Sequence, residues 1–147
     1  MAIRQITNWQ DPRFEKTSRV IDTFDERLHG LLDDMLATLR EVRGYGCAAV
    51  HVGVLRRAVV IDDETMGVIE LINPIITEAS TEQALVQEGS IAPGSPWGMV
   101  SRPTWVTVTA QNRHGESLTL RGEGFLAATL CHEIDHLAGI RFSEKLV

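Results

Sequence analysis

Apolar residues recur at helical spacing in two stretches of this chain, and the earlier stretch predicts an amphipathic helix. A capping box of Thr23 and Glu26 would start this helix, and Gly44 would end it. We interpret the helix as part of the hydrophobic core. Its apolar face comprises Leu28, Leu31, Leu32, Met35, Leu39 and Val42.

The later stretch predicts a second helix near the end of the chain, which Gly139 can terminate. Apolar residues surround its two histidines and two acids, so we expect the helix to be largely buried. Buried polar groups need partners, because leaving them unpaired is costly. The apolar positions of this helix are Phe125, Leu126, Leu130, Ile134 and Leu137.

Between the two helices the pattern changes to short apolar runs, which are typical of β-strands. Two such runs cover residues 58–61 and 68–72 and flank a polar loop at 62–64. We expect Asn73–Pro74 to break the second strand, because proline cannot donate a backbone hydrogen bond.

Further along, residues 105–110 alternate with a period of two, and residues 117–120 form another short run. The turn residues at 112–115 between them predict a β-hairpin. Residues 87–98 are rich in glycine, proline and serine and are interpreted as a loop or strand-edge segment, and residues 1–21 as an irregular arm. The chain as a whole is predicted to be an α+β protein, with strands between an early and a late helix.

Length and composition limit the possible functions. The 147 residues suffice for a single domain, 1–147, with a real core. A net charge of −6 without a basic stripe argues against nucleic-acid binding. No apolar run approaches the roughly 18 residues of a membrane span, and no signal peptide is evident. Cys47 and Cys131 are expected to be free thiols of a cytoplasmic protein.

The candidate chemistry lies on the late helix, in the motif His132–Glu133–Ile134–Asp135–His136. Histidines four residues apart lie on one face of a helix, one turn apart, where both can bind one divalent metal. The carboxylate of Glu133 can then reach a water at an open coordination position and act as a general base. The motif therefore predicts a catalytic metal site.

A second unusual stretch, residues 44–53, is rich in glycine and small residues. Such a stretch lets the backbone approach a ligand closely, although it is equally typical of a tight turn from helix to strand.

Three segments, taken in order, resemble the peptide deformylase family. Its G-x-G-x-A-A-x-Q loop corresponds to residues 44–51, its E-G-C-L-S segment to 88–92, and its Q-H-E-x-D-H-L helix to 131–137. The resemblance implies antiparallel or mixed sheets around a C-terminal metal-binding helix. It also implies a cytoplasmic metal hydrolase that removes the formyl group from N-formylmethionine on nascent proteins.

This chain departs from the family pattern at three positions that bear on the chemistry. Ser90 stands where the family has its third metal ligand, a cysteine, and Cys131 stands where the family has a glutamine. His51 replaces the glutamine that helps to hold the substrate carbonyl. A neutral serine hydroxyl is a weak ligand compared with a thiolate. Either Ser90 or His51 could therefore complete the site, and His51 could instead donate a hydrogen bond to substrate.

The resemblance also implies roles for the remaining site residues. His132 and His136, with Ser90 or His51, would hold Fe²⁺ or Zn²⁺, for which Ni²⁺ or Co²⁺ could substitute. Glu133 would move the proton, and the Ile91 N–H and the His51 side chain would stabilise the oxyanion. The substrate would be an N-formylated peptide or nascent-chain N-terminus, bound to a monomer or weak homo-oligomer. The peptide cleft would be lined by Gly44, Tyr45, Gly46, Glu88 and Gly89.

Two alternatives stay open at this point. A deformylase-like protein with weak or no deformylase activity could bind peptide N-termini or act on another acylated substrate. A general H-E-x-x-H metallopeptidase is disfavoured, because Glu144 is the sole acid after His136.

Overall fold

The computed structural model describes all 147 residues and confirms the α+β class, with strands between an early and a late helix. The α-helices are α1 (Glu26–Glu41) and α2 (Phe125–Leu137). The strands are β1 (Gly46–Ala48), β2 (Ala58–Asp63), β3 (Gly67–Ala79), β4 (Gln83–Glu88), β5 (Gly98–Pro103), β6 (Trp105–Gln111) and β7 (Ser117–Glu123). Neither helix is long and apolar enough to cross a bilayer.

The strands form two antiparallel sheets. The larger sheet has the order β1-β2-β3-β6-β7, and the smaller one pairs β4 with β5. The hairpin predicted around residues 112–115 is confirmed as β6 and β7.

The larger sheet is covered on both faces, by α1 on one and by α2 on the other. Within β2, Ala58 and Val60 pack with the residues of α1, whereas Val59 and Ile61 pack with those of α2. Successive side chains of a strand point to opposite faces, so a strand buried on both sides is apolar at every position. This explains the unbroken apolar run that the sequence shows there.

The N-terminus of α1 differs from the predicted capping box. Asp25 is the N-cap, and its carboxylate accepts a hydrogen bond from the Leu28 N–H. The Thr23 hydroxyl instead contacts the Asp22 carboxylate at 3.2 Å. Aspartate is as good an N-cap as threonine, and Asp25 directly precedes the first helical residue. The capping-box prediction was therefore wrong by two residues.

The prediction that Asn73–Pro74 breaks the second strand was also wrong, because β3 continues to Ala79. Asn73 has a φ of 52°, and the pairing with β6 shifts register between Ile72 and Ile75. The dipeptide thus forms a bulge, which lets a proline occupy a strand without losing a ladder bond. The Asn73 amide donates to Ile21 O at 2.8 Å and its oxygen accepts from Ile21 N at 2.9 Å, which fixes the N-terminal arm.

The segment interpreted as a loop or strand edge is the connection between the two strands of a hairpin. Residues 89–97 are irregular, as predicted, but they connect β4 to β5, which sequence reasoning did not identify. Strand β4 is mostly exposed, and its apolar residues, Ala84, Leu85 and Val86, are consecutive rather than alternating, so it carries no period-two signal.

Replacing Asn73 with alanine should lower the free energy of unfolding by about 1–3 kcal/mol, because the backbone groups of Ile21 lose their partners. Urea denaturation measures this change. Gln5→Ala, which removes an exposed amide without hydrogen bonds, is the matched control. Equal stability of both variants would show that the bulge does not hold the arm.

Candidate active site

Helix α2 brings the two motif histidines together in the protein interior. The ring centroids of His132 and His136 lie 4.9 Å apart, at an interplanar angle of 70°, and both side chains are buried. Helix α2 is enclosed by β1, β2, β5 and β7, which is why its polar residues are buried along with its apolar ones.

The imidazole of His132 is held by a buried chain of charged groups. Its Nδ1 lies 2.8 Å from Glu88 Oε1. Arg102 donates two hydrogen bonds to the Glu88 carboxylate, at 2.7 and 2.9 Å, and a third to Asp135 at 2.9 Å. Because Nδ1 is engaged, Nε2 is the nitrogen of His132 that remains free to bind a metal.

These contacts shift the pKa values of Glu88 and His132. Burial alone would raise the pKa of Glu88, but hydrogen bonds from Arg102 and His132 lower it to about 2. Burial also disfavours the His132 cation, yet the carboxylates of Glu133 and Glu88 raise the pKa of His132. Glu88 is therefore a carboxylate with both oxygens engaged. It lines a cavity, but both of its oxygens contact the protein.

His136 lies in an apolar environment instead. Neither of its ring nitrogens has a hydrogen-bond partner, although the side chain is fully buried. Its ring contacts those of Phe14 and His51, at centroid distances of 5.3 and 4.8 Å. Burial lowers the pKa of His136 well below its ordinary value, so the imidazole is neutral.

The carboxylate of Glu133 is buried beside both motif histidines. Its Oε2 lies 4.0 Å from His132 Nε2, and its Oε1 has no hydrogen-bond partner. Burial raises the pKa of Glu133 to about 7. Gly46 lies against this carboxylate so closely that a Cβ there would come within 2.7 Å of Oε2.

His51 and Ser90, the two departures from the family pattern, contact each other. His51 Nε2 lies 3.1 Å from Ser90 Oγ, and its Nδ1 lies 3.8 Å from Glu133 Oε1. Burial lowers the pKa of His51 to about 3, so this imidazole is neutral as well. Cys131, by contrast, does not belong to the group of buried side chains that could hold a metal. Burial raises the pKa of its thiol to about 11.

A cavity of about 470 Å³ opens in front of His132 and Glu133. The Ile91 N–H beside it makes no hydrogen bond within the chain. Gly89 packs under the Trp97 ring, where a Cβ would come within 2.5 Å of the indole. The structure places all five residues predicted to line the cleft at this cavity, namely Gly44, Tyr45, Gly46, Glu88 and Gly89.

Three of these side chains, a group that does not include His132, offer donor atoms that fit a divalent metal. One ligand atom each from His51, Glu133 and His136 lies within 4.8 Å of the others. Two neutral imidazoles and a buried carboxylate oxygen without a partner are the donor types that Zn²⁺ and Fe²⁺ bind. Unpaired buried groups of this kind are costly, and a bound cation would satisfy them.

Sequence reasoning did not assign roles to Arg102 and Trp97. Arg102 is 3% exposed and anchors Glu88, and Trp97 covers Gly89 at the mouth of the cavity. A buried arginine implies acidic partners, but the sequence does not show which acids it meets.

The comparisons with known proteins agree with this geometry. A family model described as polypeptide deformylase matches residues 3–147. The chain is 48% identical to the peptide deformylase of Caldicellulosiruptor bescii over all of its 147 residues and 87% of that protein. It is 47% identical to the peptide deformylase of Alkaliphilus metalliredigens, covering 100% of this chain and 99% of that one. The crystal structure of a peptide deformylase from Legionella pneumophila matches with a TM-score of 0.94 at 37% identity, covering 99% of this chain and 87% of that one.

Replacing Glu88 with glutamine should lower the free energy of unfolding by up to about 3–5 kcal/mol, because Arg102 remains buried with a weakened set of partners. Urea denaturation of metal-free protein measures the change. Glu123→Gln is the matched control, since it breaks an exposed pair with Arg121 and should cost less than about 1 kcal/mol. A loss of similar size in both variants would contradict the anchoring role.

Proposed function

The chain belongs to the polypeptide deformylase family, and from this premise we propose that it is a metal-dependent hydrolase which removes the N-formyl group from N-formylmethionyl peptides. The observation that carries the proposal is the pair of buried imidazoles on α2, His136 without a partner and His132 held through Nδ1, beside a carboxylate at the end of an open cavity. Its substrate would be the N-terminus of a nascent chain, and its place of action the cytoplasm where such chains are made.

We assign the substrate to the cavity in front of α2. A volume of about 470 Å³ accepts a methionine-like side chain, and the lining supplies apolar groups from Ile91, Trp97 and Phe125. The backbone at Gly44–Gly46 and at Glu88–Gly89 flanks this space, where it would bind an extended peptide.

His132 and His136 would hold the metal, Fe²⁺ or Zn²⁺, with His132 binding through Nε2 because Glu88 occupies its Nδ1. When bound, such an ion lowers the pKa of a water molecule and polarises the formyl carbonyl.

Glu133 would take a proton from the attacking water and deliver it to the leaving amine. Its pKa of about 7 suits a group that must accept and then release a proton near neutral pH. The backbone of Gly46 confines the carboxylate on one side, which keeps it close to the histidines.

The Ile91 N–H would stabilise the oxyanion that develops on the formyl oxygen, because it lies beside the cavity with no partner of its own. His51 does not line this cavity, so we do not assign the oxyanion to its side chain.

Hydrolysis of formyl-Met-Ala by the metal-loaded protein tests the function, and the release of formate measures it. Glu133→Gln should lower kcat by at least about 100-fold, since it removes the group that transfers the proton. The variant should keep its metal, whereas His136→Ala should lose both metal and activity. Glu123→Gln is the control for an exposed carboxylate.

The presence of Ser90 in place of a thiolate motivates the alternative of a deformylase-like protein that binds peptide N-termini. Bound metal without turnover in the wild-type protein would favour this alternative. A protein that binds none of iron, zinc, nickel or cobalt would contradict the hydrolase function altogether.

Removing the metal with a chelator should lower the melting temperature as well as the activity. A ligand that binds only the folded state stabilises it by about 2.7 kcal/mol at a concentration of 100 times its Kd. Re-addition of Fe²⁺ or Zn²⁺ should restore both properties, and thermal melts with and without metal measure the effect. An unchanged melting temperature would show that no metal binds to the native state.

A further inference from the structure

We propose that His51, and not Ser90, supplies the third protein ligand, so that three imidazoles hold the metal. The inference rests on the proposed function, because it concerns the ion on which that function depends. It assigns to this chain a ligand set that contains no sulfur.

The spacing of the three rings is the first observation. The His51–His136 and His132–His136 centroid distances are 4.8 and 4.9 Å. Two imidazoles that bind one tetrahedral ion through metal–nitrogen bonds of about 2.0–2.1 Å have ring centres roughly 5 Å apart. Each of the other two imidazoles thus lies at the distance from His136 that a shared ion requires. A ligand atom of His51 lies within 4.8 Å of those of His136 and Glu133.

The orientation of His51 is the second observation. The Ala48 N–H is directed at its Nδ1 at 3.0 Å, and Ala48 O lies 3.2 Å from the same nitrogen. Binding a metal through Nε2 requires the tautomer in which Nδ1 donates its proton to the Ala48 carbonyl, because Nε2 then carries the lone pair. A backbone carbonyl on the distal nitrogen is the usual way in which a metal-binding histidine is oriented.

Ser90 is less suited to bind the ion. Its hydroxyl accepts a hydrogen bond from the Ala92 N–H at 3.1 Å and lies 3.1 Å from His51 Nε2. A hydroxyl that keeps its proton is a weak ligand beside imidazole. Ser90 would therefore act as a positioning residue that steers Nε2 of His51.

The surroundings hold the imidazole pair in place. The ring of Phe14 contacts those of His51 and His136, at centroid distances of 5.4 and 5.3 Å, and His51 is fully buried. Neither ring nitrogen of His136 has a partner in this aromatic environment, so a shared cation is the partner that would satisfy it. With three imidazoles as ligands, Glu133 stays free for proton transfer.

Nitrogen NMR of the histidine rings in the wild-type protein tests the inference without a substitution. Zinc should change the ring ¹⁵N shifts of His51, His132 and His136, whereas His29 and His114, which lie outside the cluster, serve as internal controls. A change confined to His132 and His136 would overturn the three-imidazole site and leave the proposed function intact. No change at any of the three would contradict the metal site itself.

Zinc affinity of three variants, measured by competition with a chelator, provides a second readout. His51→Gln, which keeps a polar side chain in the buried space, should weaken zinc binding by more than the roughly 10–100-fold that is typical of outer contacts. Ser90→Ala should weaken it by less than about 10-fold, as expected of a positioning contact, and His114→Ala should leave it unchanged. Circular dichroism verifies the fold of each variant. Unchanged zinc affinity in folded His51→Gln, or a larger loss in Ser90→Ala, would refute the inference.

Discussion

The bidentate ion pair between Arg102 and Glu88 is the contact on which the site depends. Both residues belong to the smaller sheet, Glu88 in β4 and Arg102 in β5, and Glu88 in turn contacts Nδ1 of His132 on α2. A buried pair of this kind tolerates loss of either partner poorly, because the other charge then remains without compensation. The smaller sheet and helix α2 are thereby joined at His132 and at Asp135.

The cluster is electrostatically asymmetric around α2. His132 is hydrogen-bonded through Nδ1 to the charged pair of Glu88 and Arg102, whereas His136 and His51 are neutral imidazoles packed against Phe14. Glu133 lies between the two environments, with a pKa of about 7 that reflects its burial. A cation binding here would have the Glu88 carboxylate, already paired with Arg102, on one side and the unpaired ring nitrogens of His136 on the other.

The sequence predicted those parts of the molecule that carry a periodic or local signal. Helix α2 and its motif were identified because the apolar spacing and the four-residue histidine spacing agree, and the cleft residues came from the family resemblance. The continuation of β3 past Asn73 was not predicted, because the bulge depends on a contact with Ile21, far away in the chain. Arg102 was missed for a similar reason, since its role is defined by acids on two other elements. The contact between His51 and Ser90 likewise joins residues 39 positions apart.

The close approach of Gly46 to Glu133 couples the identities of two distant positions. Strand β1 leaves no room for a side chain against the carboxylate. A glutamate at residue 133 therefore requires a glycine at residue 46. Redesign of the cavity for a bulkier acyl group must therefore begin at the exposed rim, where Trp97 is 69% exposed, and leave this wall unchanged.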